Sequence, residues 1–310
     1  MSDPILQGGE FYSEAIEPRE SIGFLLRCAQ QVHTRCWVRE FGADLTSSQY
    51  VILAAVSRWP GIDQTRAGEV ASLDKSNAAD VINRLAEVGW LFRDQDMGDH
   101  RKRVLRLTVP AREALKSITP RVKNVQRELI SQLPAEEATE FIRLLARVAY
   151  RSSDDLAPEP PEADAEVIGI STSPGHLLRR AMQVHTALWG TFVGAEMTGP
   201  QYGVVSTLAR HGEMDQKQLG ELASLDKSVV GDVVLRLSRK GVLAKERDPA
   251  DGRRRLLHVT EAGFSLLHRT TPGVAHVQET LLSPLSQDES HELTQMLARV
   301  CGVVHVENPL

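Results

Sequence analysis

The chain repeats itself along its length, and this repeat constrains the fold more than any other feature of the sequence. Adding 152 to the numbering places residues 23–108 on residues 175–260 without a gap, and 38 of the 86 aligned positions are identical. Leu-Asp-Lys-Ser, for example, occurs at Leu73–Ser76 and again at Leu225–Ser228. A repeat of this length indicates a duplicated domain. We therefore expect a first domain at 20–150, an acidic, proline-containing linker at 151–172 and a second domain at 173–304.

Composition limits the class of protein. A hydrophobic content of 42% with 25% charged residues is typical of a globular protein. No apolar run approaches the ~20 residues that a membrane span needs, and the acidic N-terminus lacks the pattern of a signal peptide. We therefore expect a cytoplasmic protein without a membrane partner. A net charge of −5 argues against coating nucleic acid nonspecifically, although basic clusters at 101–103 and 253–255 still favour localised binding.

Periodicity, caps and turn residues predict the same order of elements in each copy. In the first copy these are a helix at 21–41, a helix after Thr46, a short helix after Asp63 and a fourth helix at 75–88. Two short strands joined by a basic turn follow, at 91–93 and 104–107, and then a long helix, kinked at its proline, and a final helix at 135–150. The chain is therefore mainly α with small β-hairpins, and the third and fourth helices form a helix-turn-helix.

This arrangement resembles the winged-helix fold of the MarR family of bacterial transcription regulators. The resemblance rests on Leu225–Ser228 entering the fourth helix and on Asp248–Gly263 through the hairpin, and it covers both copies nearly end to end. It implies two winged helix-turn-helix domains whose first, fifth and sixth helices form dimerisation regions. Copy one would then dock on copy two as an intramolecular pseudo-dimer, which makes a single chain sufficient. The linker of about 22 residues can span up to roughly 70 Å, so its length allows this pairing.

The resemblance implies that double-stranded DNA is the partner. The N-terminal turn of a recognition helix enters the major groove, and arginines of a wing lie beside the minor groove. Asp99 and Asp251 are expected to orient Arg101 and Arg253 by side-chain pairing. Arg84 and Arg236 are expected to hold phosphate, with a salt bridge to Asp80 or Asp232 as the alternative. The predicted DNA-binding residues are Lys75, Ser76, Asn77, Arg84, Arg101, Lys102, Arg103, Lys227, Ser228, Val229, Arg236, Arg253, Arg254 and Arg255.

The two copies differ where they would read bases. Asn77 can pair bidentately with adenine, whereas Val229 at the same place offers only apolar contact. The sequence therefore predicts a pseudo-palindromic operator with unequal half-sites.

A small-molecule site is predicted on the first helix of each copy. Arginine suits a carboxylate, histidine a hydroxyl or the same carboxylate, and tryptophan ring stacking, so the set suits an aromatic acid. MarR regulators that respond to protocatechuate, hydroxycinnamate or benzoate derivatives use a similar arginine and histidine. The alternative is structural: Arg27 pairs with an acid across the pseudo-dimer, and His33 is an interfacial histidine whose hydrogen bonds are satisfied. The predicted ligand-binding residues are Arg27, His33, Trp37, Arg179, His185 and Trp189.

These residues predict a regulator, in the first place a repressor whose DNA affinity changes when the aromatic acid binds. One alternative is a thiol-responsive regulator that uses Cys28 or Cys36, and another is a ligand-binding module without DNA binding. No enzyme fingerprint is present, so we expect no catalytic residues, and no motif indicates a cofactor or a metal site.

Overall fold

The computed structural model is mainly helical with small antiparallel hairpins, which confirms the predicted fold class. It describes residues 15–95, 103–151, 167–249, 251 and 253–303. The chain forms two compact units, and each unit takes segments from both copies of the repeat. One consists of residues 29–183 and 284–310, and the other of residues 1–28 and 184–283. The compact units therefore do not coincide with the repeats.

The first of these units is named here the α4 unit. Its elements are most of α1 (Ile22–Phe41), α2 (Ser47–Arg58), α3 (Gln64–Val70), α4 (Lys75–Glu87), β1 (Leu91–Gln95), β2 (Arg103–Leu107), α5 (Val109–Leu129), α6 (Ala135–Ala149), the first part of α7 (Pro174–Phe192) and α12 (Gln287–Cys301). Strands β1 and β2 pair in antiparallel register from Leu91↔Leu107 to Gln95↔Arg103. The helix-turn-helix and the hairpin thus come from copy one, whereas α7 and α12 come from copy two.

The second unit is named the α10 unit. Its elements are the first turns of α1, the rest of α7, α8 (Gly199–His211), β3 (Met214–Asp215), α9 (Gln216–Leu222), α10 (Lys227–Arg239), β4 (Leu243–Arg247), β5 (Arg255–Val259) and α11 (Glu261–Leu282). Strand β5 lies between β3 and β4, antiparallel to both. Pro120 and Pro272 lie inside α5 and α11, each of which continues as one helix.

Capping side chains fix where the short helices begin. The Asp74 carboxylate accepts from the Asn77 amide, and that of Asp226 accepts from the Ser228 and Val229 amides. These bonds satisfy N–H groups that have no partner within the helix. The start of α4 and α10 is therefore set by local sequence.

The turn between α3 and α4 has an unusual backbone, and so does its counterpart between α9 and α10. Ser72 and Ser224 have φ of 51° and 46°, in the left-handed region that residues other than glycine rarely enter. Such a conformation costs about 1 kcal/mol or more and persists only where the surroundings hold it. The turns at Ser72 and Ser224 therefore depend on contacts with the residues around them.

The end of the expected linker is part of the fold. Val167 and Ile170 are buried in the core of the α4 unit. Arg58 donates to the Val167 carbonyl, and the Ile168 amide donates to the Tyr50 hydroxyl. The expectation of a solvated linker up to residue 172 was therefore wrong for 167–170, because these apolar side chains gain more from burial than the chain loses in freedom.

The segment before α1 packs in the same way in the α10 unit. The Ile16 amide donates to the Tyr202 hydroxyl at 3.3 Å, and Arg210 donates to the Ala15 carbonyl at 2.6 Å. Ala15 is 1% exposed. The structural repeat thus extends upstream of the identities, to 15–16 and 167–168, where few residues match.

Truncating Ile170 tests whether this segment is structural. We expect Ile170→Ala to lower the free energy of unfolding by about 2–4 kcal/mol, because it leaves a cavity in the core. Thermal or urea denaturation measures the change. The matched control is Thr172→Ala, two residues on and exposed. Equal stability of both variants would mean that 167–172 is only a connection.

Candidate functional site

The exposed side chains at the start of α4 and α10 form one candidate surface. Lys75, Ser76 and Asn77 are exposed, and so are their counterparts at 227–229. The Ser228 hydroxyl donates to Asp226 at 2.6 Å, and this bond and the two amide bonds lower the pKa of that carboxyl. Both helix entries therefore present polar or small side chains on a fixed backbone.

In the hairpin of the α10 unit, one arginine has a structural contact. The Arg254 guanidinium donates to Asp215 at 2.7 Å and lies 3.6 Å from Asp248. The pKa of Asp215 is lowered, first by the Gln218 amide and then by Arg254. Arg254 thereby joins the hairpin to the start of α9. The sequence had suggested only a DNA-binding role for this arginine.

The contacts of Arg253 differ from those of Arg254. Its side chain is exposed, and its backbone amide donates to Asp251 at 3.0 Å. The expected side-chain pairing of Arg253 with Asp251 is thus replaced by a main-chain bond that shapes the turn. Arg255 and Arg103 are exposed at the starts of β5 and β2, whereas Arg101 and Lys102, and with them the pairing expected of Asp99, lie outside the described residues.

Arg84 and Arg236 are exposed on α4 and α10. Within the described parts of the chain, neither forms an ion pair with Asp80 or Asp232. The salt-bridge alternative is therefore absent here.

The predicted ligand residues come together across the two copies. In the α4 unit, Arg179 acts electrostatically on His33, which lies beside Trp37 with ring centroids 5.7 Å apart. In the α10 unit, Arg27 acts in the same way on His185. Each arginine thus joins the histidine and tryptophan of the other copy, whereas we expected the three residues of one helix to border one cleft.

Glycine makes this exchange possible. A Cβ added to Gly23 would lie 2.2 Å from Nε2 of His185, and one added to Gly175 would lie 2.3 Å from Nε2 of His33. Only a residue without a side chain allows such an approach. Arg27 and Arg179 stand four residues after these glycines, on the same helix face. The histidine packed on the glycine therefore lies next to the arginine.

Both arginines donate to the helix-turn-helix turn. Arg27 Nη2 lies 3.1 Å from the Ala223 carbonyl, and Arg179 Nη1 lies 3.5 Å from the Ala71 carbonyl. Arg179 Nη2 also donates to the Ser47 hydroxyl at 2.7 Å. Arg27 Nε is buried without a hydrogen-bond partner among the described residues. Among the described residues, no carboxylate pairs with either guanidinium.

Burial keeps the histidines neutral. Desolvation first, and then Arg179, lowers the pKa of His33 to about 4. Desolvation and Arg27 do the same for His185, whose pKa is also about 4. His33 is hydrogen-bonded to Gln126 through the Nε2 atoms, whereas Nδ1 of His185 is buried without a partner in the described part of the chain. A neutral imidazole can donate from one nitrogen and accept at the other.

The two tryptophans are held by hydrogen bonds from their indole nitrogens. Trp37 Nε1 donates to the Leu45 carbonyl at 2.6 Å, and Trp189 Nε1 donates to that of Met197 at 2.8 Å. Trp37 also packs on Phe41, with ring centroids 4.9 Å apart. The indoles thus anchor the chain after α1 and α7, a structural contribution that the sequence had not indicated.

Sequence reasoning missed several polar neighbours of the arginines. Gln183 donates to the Ser72 carbonyl at 2.7 Å, and His176 lies 3.4 Å from the Ser72 hydroxyl and 2.9 Å from that of Tyr150. His176, Arg179 and Gln183 follow one face of α7. Gln183 could have been found from the sequence, because it lies in a Gln-Val-His-Thr segment that occurs in both copies, at 31–34 and 183–186. His176 gave no such signal, because it is not repeated in the first copy.

The candidate thiols are buried. Cys28 and Cys36 are 5% and 6% exposed, and Cys301 is partly exposed. Burial limits the access of an oxidant to Cys28 and Cys36, and Arg39 Nη2 donates to Cys36 Sγ at 3.9 Å.

Comparison with known proteins assigns the family. Residues 45–102 and 195–254 each match the MarR family. The chain is 32% identical over 123 residues to the transcriptional regulator HosA of Escherichia coli O157:H7, covering 40% of this chain and 90% of that protein. The chain belongs to the MarR family. It is therefore a transcriptional regulator with two winged helix-turn-helix units, and not an enzyme.

Two further transcription regulators are similar over a little less than half of the chain. The repressor NicR of Pseudomonas putida is 26% identical over 149 residues, which cover 48% of this chain and 94% of NicR. The crystal structure of PcaV from Streptomyces coelicolor with its natural ligand has 40% identity and a TM-score of 0.43, covering 44% of this chain and 96% of PcaV. None of the described helices is long and apolar enough to cross a membrane.

The buried histidines predict an acid-sensitive fold. Their pKa lies below the unfolded value of about 6.5, so between about pH 6.5 and pH 4 the unfolded chain binds protons that the folded chain does not. The free energy of unfolding should therefore fall as the pH falls through this window and stay constant above it. Thermal melts across the pH range measure this.

Histidine variants test whether His33 and His185 cause the loss of stability on acidification. We expect His33→Gln and His185→Gln each to reduce the loss of stability on acidification, since the glutamine does not titrate. The control His268→Gln replaces an exposed histidine and should leave the slope unchanged. An unchanged slope in all three would contradict the assignment.

Proposed function

We propose that this chain is a DNA-binding repressor whose operator affinity is controlled by a small aromatic carboxylate. It acts in the cytoplasm, with both DNA-reading halves on one polypeptide that pairs internally as a pseudo-dimer. The operator is pseudo-palindromic with unequal half-sites. The ligand lies where Arg27 meets His185 and where Arg179 meets His33.

One observation supports the ligand more than any other: each unit contains a shielded guanidinium that has no carboxylate partner among the described residues. A desolvated cation is costly unless an anion compensates it. Burial lowers the pKa of Arg179 to about 10 and also lowers that of Arg27. A ligand carboxylate would supply the missing charge, and it can form two parallel bonds with a guanidinium.

The other groups favour an aromatic ring with a hydroxyl. The neutral imidazole of His185 has a buried Nδ1 with no partner among the described residues, which suits a phenol or one oxygen of the carboxylate. The histidine lies 5.7 Å from Trp189, between ring centroids. A flat ligand would therefore meet a polar edge at the arginine and histidine and an aromatic surface beside them.

Exposed cations on both recognition helices and hairpins support DNA binding. Lys75, Arg84, Lys227 and Arg236 carry no ion pair within the described residues and are exposed. Such residues gain by displacing counterions from phosphates. Arg254 has the different task of holding the hairpin, and Asn77 against Val229 supports unequal base readout. The repressor sign is proposed by likeness to NicR, a relative described as a repressor.

Regulation requires that the ligand favour the arrangement that does not bind DNA. A difference in affinity of about 1–3 kcal/mol between the two arrangements would change DNA affinity roughly 5- to 150-fold. Because each arginine contacts the turn before a recognition helix, the ligand and the DNA-reading element share one side chain. A thiol switch has less support, since Cys28 and Cys36 are buried.

A thermal-shift screen tests the ligand. Benzoate, para-hydroxybenzoate, protocatechuate and a hydroxycinnamate are added to the wild type and to Arg27→Ala/Arg179→Ala. We expect one or more acids to raise the melting temperature of the wild type by several degrees at saturating concentration, and not that of the double variant.

The control is Arg35→Ala, an exposed arginine on the same helix α1, which should respond like the wild type. Lysine substitutions at 27 and 179 retain the charge without the fork and should bind more weakly, which guards against a folding defect. Equal stabilisation of the wild type and the double alanine variant would remove the arginines from the site.

Gel shifts with operator DNA test which residues bind DNA and which distinguish the two half-sites. Arg101→Ala or Arg253→Ala should weaken binding about ten-fold and lower the slope of log affinity against log salt by about 1. Asn77→Val should reduce the preference between the half-sites by about 1–3 kcal/mol, measured on operators built from two copies of either half.

The control is Lys123→Ala, which removes an exposed positive charge on α5 and so measures the effect of losing charge alone. Unchanged affinity in both wing variants would contradict the repressor function. Asn77→Val with unchanged half-site preference would contradict only the unequal readout.

A further inference from the structure

The two arginines are not held equally, although they occupy equivalent positions. Arg179 donates to Ala71 and also to the Ser47 hydroxyl at 2.7 Å. The residue equivalent to Ser47 is Gly199, which has no side chain to accept from Arg27. The described hydrogen bond of the Arg27 side chain goes to the Ala223 carbonyl, and Nε is left without a partner in the described chain.

The turns that receive these arginines also differ. His176 contacts the Ser72 hydroxyl, and Tyr150 contacts His176 in turn, so the turn before α4 is tied by a polar chain. The equivalents of His176 and Tyr150 are Phe24 and Gly302, neither of which has a hydrogen-bonding side chain. Phe24 instead packs under the Arg27 guanidinium, 5.4 Å from its ring centroid.

A carboxylate competes differently at the two places. A side-on bidentate pair uses Nε and one Nη of the guanidinium. At Arg27, the only described side-chain hydrogen bond that has to be given up is the one to the Ala223 carbonyl. At Arg179, the ligand has to displace the Ser47 hydroxyl as well, and a bond between a hydroxyl and a charged group is among the stronger ones. The Arg27 site therefore accepts an anion at lower cost.

We infer that the two ligand sites have unequal affinity, that the site of Arg27 fills first, and that the turn before α10 is released before the turn before α4. This inference rests on the proposed function and adds its order of events. The left-handed Ser224 gives the second step a physical basis, because the Arg27 bond to the Ala223 carbonyl is one of the contacts at this strained turn, and its loss lowers the cost of rearranging the turn. The chain then passes through a state with one half released.

Titration calorimetry with the acid that stabilises best in the screen tests the order. The wild type should show two classes of sites whose dissociation constants differ at least about ten-fold, the ratio that one charge-assisted hydrogen bond provides. Arg27→Lys should weaken the tighter class and Arg179→Lys the weaker one. Hydrogen exchange should rise in peptides across 216–230 at lower ligand concentration than in peptides across 64–78.

A hydroxyl exchange provides the matched test. Ser47→Gly should tighten the weaker class towards the stronger, and Gly199→Ser should weaken the stronger class. Gly199 has open space around an added Cβ, so the serine fits. Melting curves without ligand check that both variants fold.

The outcomes separate the two proposals. Two equal sites, or a first occupancy at Arg179, would overturn the inference and leave the aromatic-acid repressor standing. Absence of binding by every acid in the panel would overturn both. Unequal sites that the serine exchange leaves unchanged would also count against the inference, since the hydroxyl would then not set the order.

Discussion

The packing of a histidine ring on a helix glycine, once in each unit, sets where the functional groups lie. Gly23 receives His185 and Gly175 receives His33 at distances that any Cβ would block. Helical geometry then brings the arginine four residues after each glycine beside that histidine. The lowered histidine pKa, the contact to the helix-turn-helix turn and the composite nature of each site all follow from this approach.

Much of the local structure could be predicted because its causes are local. Thr46, Asp63 and Asp74 cap the helices that they precede in the sequence, and the hairpins follow their turn residues. The partners of the arginines could not be predicted in the same way. Arg179 and Ser47 are 132 residues apart, and a repeat does not tell which copy supplies which side of a site. The buried 167–170 was missed because the prolines and acids around it dominated the composition.

Duplication has preserved some features and released others. The Gly, Arg, His and Trp of the site are the same in both copies, whereas the residues that hold the arginine and its turn have diverged: Ser47 against Gly199, and His176 against Phe24. A homodimer has to change both of its sites at once. Two copies on one chain remove that constraint, and the differences gather around the arginine that contacts the helix-turn-helix turn.

The exchange of segments between the copies also constrains how the chain folds. The hydrogen bond between Arg27 and Ala223 joins residues 196 positions apart. At a synthesis rate of about 5–20 residues per second, the first turns of α1 wait roughly ten to forty seconds for their partners. Phe24, Leu25 and Leu26 in these turns are buried in the finished fold. The α10 unit of the fused chain can therefore be completed only after most of the chain has been synthesised.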